Sequence, residues 1–106
     1  MKIPRTFKLY GKKVRVRSQK GLAVCHDKVG EARYRKREIL LQCLKVAGIP
    51  YRSRDIEEVF HEELTHFILS AMDHDLAYDE RFVKQFARLL YQSRLTEKGV
   101  WKGEAT

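Results

Sequence analysis

Residues 59–69 read VFHEELTHFIL, and four of them, His61, Glu62, Glu63 and His66, are of the types that hold metal ions and move protons. A zinc peptidase helix uses HExxH because ligands at i and i+4 project from one side and the Glu after the first ligand activates bound water. This string departs from that pattern by one position. His61 and His66 are five apart, which at about 100° per residue separates them by about 140° around a regular helix. They close on one ion only through a π-bulge. Glu62 and His66 are four apart and differ by only about 40° in azimuth. The pair able to chelate is therefore a carboxylate and an imidazole. Glu63 falls at the edge of the apolar arc between Phe60 and Phe67, where burial raises a carboxyl pKa and suits it to general-base work. A third ligand must come from another element, and Glu80 or Asp79 at the start of the next helix is its source. Two carboxylates and one imidazole make a harder site than two histidines, one that admits manganese or other divalent ions as well as zinc. The bland reading of the same residues is a solvated helix face.

The elements that carry these residues follow from hydrophobic period. Ile56, Val59, Phe60, Leu64, Phe67, Ile68 and Ala71 recur at three- and four-residue steps, which predicts an amphipathic helix from about Asp55 to Met72, capped by Asp55 with Glu58 or by Ser53. MDHDLAY breaks the period, and His74 within it reads as part of a solvated turn. Phe82, Val83, Phe86, Leu89 and Leu90 predict a second helix beginning near Asp79 and Glu80, whose charges suit the helix dipole. Before Gly48 and Pro50 the period is that of strands. TFKLYGKKVRV reads as a hairpin with one apolar and one basic face, and GEARYRKREILLQCL as a second hairpin with Arg35, Lys36 and Arg37 at its tip, or as one longer bent strand. A brief strand is expected at Leu22 to Cys25, and residues 95–106 read as a tail pinned by Trp101. The expected fold is α+β: a small antiparallel sheet of three or four strands packed on two helices, one domain over residues 1–94.

In order and spacing, MKIPRTFKLYGKKVRV, GEARYRKREILLQ, EEVFHEELTHFIL and DERFVKQFARLLYQ resemble the small phage and prophage proteins related to the ImmA/IrrE metallopeptidases, over roughly residues 1–93. The resemblance implies a minimal zincin-like fold, a divalent metal such as zinc, and peptide-bond hydrolysis in the cytoplasm of a phage host. Residue by residue, it implies His66 as the second histidine ligand, Glu63 as the catalytic Glu and Glu80 as the downstream acidic ligand, with Asp79 as its alternative. Glu62 stands where the family has its first histidine. His61, its neighbour, substitutes only on a bulged helix. That exchange makes a catalytically inactive binding module the alternative to a peptidase.

Charge supplies the rival function. Residues 1–54 hold 16 of the 22 Lys and Arg but 3 of the 14 Asp and Glu, a balance of +13, whereas the remainder carries −5. Lys13, Arg15 and Arg17 share one strand face, and Arg33, Arg35, Lys36 and Arg37 crowd the neighbouring hairpin. Such a patch tracks the phosphates of a nucleic acid or meets an acidic host protein. Interleaved aromatics for base stacking are missing. Two cysteines, Cys25 and Cys43, exclude a four-cysteine zinc site and read as free thiols of a reducing compartment. Cys25, His26 and Asp27, adjacent on an extended chain, point to opposite faces and read as a loop. No apolar run reaches the length of a membrane span, no signal-peptide core opens the chain, and the glycine-rich nucleotide loops and GxSxG elbow are missing.

Overall fold

The computed structural model describes residues 2–23, 28–46 and 48–104. Four strands, β1 (Thr6–Leu9), β2 (Lys12–Gln19), β3 (Gly30–Arg33) and β4 (Glu38–Gln42), form one sheet in the order β1-β2-β4-β3. The sheet is mixed, where an antiparallel one is expected. β1 with β2 and β3 with β4 are antiparallel hairpins, but β2 and β4 run parallel, with Arg15 opposite Glu38 and Arg17 opposite Leu40. The reason lies in β4, EILLQ, which is buried at every position. A strand apolar on both faces takes an interior place, and seating β4 beside β2 makes the β3–β4 hairpin turn its antiparallel arm outward to the edge.

The second hairpin forms as two strands, and its tip closes without glycine because Arg37 adopts φ 50°. The brief strand expected at Leu22 to Cys25 is not formed at Leu22 and Ala23, which are helical. Its remaining residues lie outside the described ones, as do Cys25, His26 and Asp27. Gln42, buried in β4, holds this connection by accepting from the Ala23 N–H (2.7 Å) and donating to the carbonyls of Lys20 (2.8 Å) and Cys43 (2.9 Å).

Two helices follow, α1 (Ser53–Ala71) and α2 (Glu80–Leu95), joined by a 3-10 turn at Asp75–Tyr78. Neither Asp55 nor Ser53 is the cap of α1. Arg52 is, and Asp55 reaches back to accept its N–H at 2.7 Å. Ile56, Phe60 and Phe67 of α1 meet Val14, Ile39 and Leu41 of the sheet to form the core. On its other side α1 packs against α2, which buries Val83, Ala87 and Tyr91. α1 thus has two buried faces. Sequence period shows only the broader one.

The tail is not pinned by Trp101, which is 89% exposed. Among the described residues, no helix is long and apolar enough to cross a membrane.

Candidate metal site

α1 carries Glu62, Glu63 and His66, and the 3-10 turn and α2 both pack against this helix. His66 Nδ1 donates to the carbonyl of Ala77 at 2.7 Å, and its Nε2 lies 3.2 Å from Glu80 Oε1. The imidazole side chain is 13% exposed and the Glu80 carboxylate 67%. The Ala77 bond fixes the tautomer, since a carbonyl only accepts, so Nδ1 carries a proton. Neutral His66 then aims a lone pair from Nε2 at a carboxylate oxygen. Two acceptors this close repel unless a cation stands between them, either a proton on Nε2 or a metal ion. A backbone carbonyl that holds one imidazole nitrogen while the other faces outward is also how ligating histidines are oriented.

Glu80 is thereby brought to the site and Asp79 is not. Asp79 caps α2, accepting the Phe82 N–H on Oδ1 at 3.0 Å. Glu62 stands one turn before His66 and is half-buried. Burial raises its pKa, Lys84 opposes the rise, and the charges of Glu58 and Glu80 add to it. Glu63 is pushed up to about 7, chiefly by burial, with His66 opposing and Glu62, Glu80 and Glu31 reinforcing.

His61 is placed elsewhere. It is fully buried, its Nδ1 donates to the Glu57 carbonyl at 2.7 Å, and its ring lies 5.0 Å from Tyr91 and 5.4 Å from Phe60. α1 runs through this region as a regular α-helix, so His61 faces α2 rather than His66. No bulge redirects it.

Glu63 is seated by a glycine. Gly30 on edge strand β3 lies so close to α1 that a Cβ there would come within 2.5 Å of Val59 Cγ1 and 3.1 Å of Glu63 Cγ. Gly30→Ala is accordingly expected to cost about 1–3 kcal/mol by overpacking and to displace the Glu63 carboxyl. Chemical denaturation, with the Glu63 pKa followed by carboxyl NMR, checks both. Stability equal to that of the parent would refute the close approach.

No family model, no curated protein and no solved structure matches this chain. Among the described residues, no three His, Cys, Asp or Glu side chains are grouped closely enough to hold an ion. His66 and Glu80 converge; Glu62 has the right place on the helix but does not complete a cluster with them. Of the three side chains expected to act together, the fold thus brings two, His66 and Glu80, into contact.

Tyr34 was not singled out by its sequence position. It follows β3, packs edge-on against Phe67 at 5.1 Å, and has its phenol pKa raised by burial and then by the charges of Glu63, Tyr78 and Glu80. A phenol beside two carboxyls is a hydrogen-bond donor for whatever binds there. Neither its spacing nor its neighbours in the chain mark it.

The predicted basic set divides in two. Arg17 and Arg33 reach the buried Glu38 carboxylate from both sides, each at 3.5 Å, and Arg33 also pairs with Glu31 at 3.2 Å. Those two guanidiniums neutralise the sheet's own acid. Lys13, Arg15, Lys36 and Arg37 line a common depression on the surface, and Arg35 borders a neighbouring one with Arg33, Tyr34 and Lys36.

Proposed function

We propose that the chain is a divalent-metal-dependent hydrolase of minimal zincin-like type, acting on a peptide or protein substrate in the cytoplasm, as its resemblance to phage-type metallopeptidases implies. The observation that carries this reading is the His66 Nε2 to Glu80 Oε1 approach of 3.2 Å, with Nδ1 already committed to Ala77. His66, Glu80 and, after a side-chain rotation, Glu62 would hold zinc or another divalent ion, which when bound supplies charge stabilisation and acidifies water. Glu63 contributes a carboxyl whose pKa near 7 lets it take a proton at neutral pH and return it. Tyr34, whose phenol pKa is raised by burial and by the nearby charges of Glu63 and Glu80, would donate a hydrogen bond to a bound group.

Equilibrium dialysis against zinc and manganese tests the site. One ion per chain is expected, with affinity falling about 10-fold to 100-fold or more in both His66→Ala and Glu62→Ala, by analogy with the loss of outer partners of such sites. His61→Leu is expected to bind as the parent does. Uptake of no ion by the parent, or equal uptake by His66→Ala, would refute the reading.

A second reading is favoured by the four cations that share one depression: a binding module whose basic face meets a nucleic acid or an acidic host protein. The two readings use different surfaces and are compatible in one molecule.

A further inference from the structure

We infer that the depression lined by Lys13, Arg15, Lys36 and Arg37, about 290 Å³ in volume, is a binding site for the phosphates of a nucleic-acid backbone. The inference deepens the binding-module reading, on which it rests, and is independent of the ion at His66. Its four lining residues are all cationic, two from β2 and two from the β3–β4 turn, which is drawn against β2 by the Arg15 N–H bonding to the Arg37 carbonyl at 3.0 Å. Among the described residues, none of the four forms a salt bridge, while nearby Arg17 and Arg33 are both engaged by Glu38. The cross-strand neighbour of Lys13 is another cation, Lys8, so the repulsion is not relieved across the hairpin either.

A second observation concerns the backbone. Arg37 sits at φ 50°, a conformation that glycine or asparagine adopts with less strain. Arg37 thus lines the depression from a strained backbone, and strain of this kind gathers at ligand sites. Phosphate is the partner that matches. Duplex DNA carries one charge per about 1.7 Å of axis, a density that answers four cations on one small surface. The tetrahedral oxygens also fit guanidinium forks. The depression has no aromatic lining residue, so the contact is with backbone and not with stacked bases.

Binding of a short DNA duplex, and of a single strand of equal length, is measured by fluorescence anisotropy as salt is varied. Four phosphate contacts weaken duplex binding about 10²-fold between about 50 and about 200 mM salt, and losing one contact reduces that to about 40-fold. Arg15→Ala, Lys36→Ala and Arg37→Gly are each expected to show the reduced dependence, whereas Arg81→Ala on α2, equal in charge loss, keeps the parent's. Arg37→Gly is expected to do so with an unchanged or raised melting temperature, which separates binding from folding. Single-strand binding with a similar dependence on the same residues supports the phosphate site and assigns its source. No binding of either probe at low salt overturns both the binding-module reading and this site. Binding that Arg15→Ala and Lys36→Ala reduce no more than Arg81→Ala overturns the site alone. Displacement of the duplex by polyglutamate at equal charge overturns it in favour of an acidic protein.

Discussion

Glu63→Gln is expected to raise stability at about pH 8 by up to about 3 kcal/mol, the equivalent of moving a carboxyl pKa from 4.5 to about 7. At about pH 4 it is expected to change stability little. Burial disfavours the ionised form, so the folded chain holds the Glu63 proton more tightly than the unfolded chain does. With the folded value above the unfolded one, the carboxyl costs nothing below pH 4.5. Its cost grows as pH rises and is complete above about pH 7. Glutamine has the shape of the protonated acid and no charge to desolvate, so the gap between variant and parent opens across that window. Urea denaturation of both at a series of pH values measures it. Parallel curves would mean that Glu63 reaches water in solution and has no special basicity. The same desolvation that raises this carboxyl's pKa makes it a liability to the fold, and a cation bound beside it would narrow the gap.

The parts of this arrangement readable from sequence are those governed by local period. Ile56, Phe60, Leu64 and Phe67 mark α1, Phe82 to Leu90 mark α2, and the alternation around Tyr10-Gly11 marks the first hairpin; all three are present. Placing Glu62 one turn before His66, with Glu80 at the head of the next helix, needed only helical geometry and a short connection. The Ala77 carbonyl that orients His66 lies 11 residues away, in a 3-10 turn with no distinctive signal. Nonlocal pairing decided the rest. The parallel β2–β4 contact depends on which hairpin arm is buried on both faces, and EILLQ carried that information in its unbroken apolar run. Arg17 and Arg33 look equivalent to Lys13 and Arg15 along the chain; they differ because their guanidiniums, and not that of Arg15, which stands opposite Glu38 on the neighbouring strand, reach the buried Glu38 carboxylate. His61 looked like a polar-face residue because α2, which covers it, is distant in sequence.

His61 should therefore control acid stability and have no part in ion binding. Its Nδ1 is bonded to Glu57, while Nε2 has no partner among the described residues. Protonation would create a buried N–H with no acceptor. Burial accordingly lowers its pKa below 6.5, against the opposing pull of the Glu57 carbonyl, and the Arg94 charge lowers it further. The unfolded chain then takes up the proton first. The stability that neutral His61 confers is complete above pH 6.5 and declines as pH falls toward the folded value, the reverse of the Glu63 effect in an overlapping window. The parent's profile is a partial cancellation that single variants resolve. His61→Leu fills nearly the same space, removes the orphan acceptor and is expected to stabilise by about 1 kcal/mol at neutral pH, and by more in acid. His61→Ala leaves a cavity between α1 and α2 and is expected to cost about 2–4 kcal/mol. Thermal melts between about pH 5 and about pH 7.5 measure both. If His61→Leu were less stable throughout and kept the acid decline, the imidazole would have a partner that the buried geometry does not supply. If it lost metal affinity as His66→Ala does, both histidines would serve one ion and α1 would have to bulge between them.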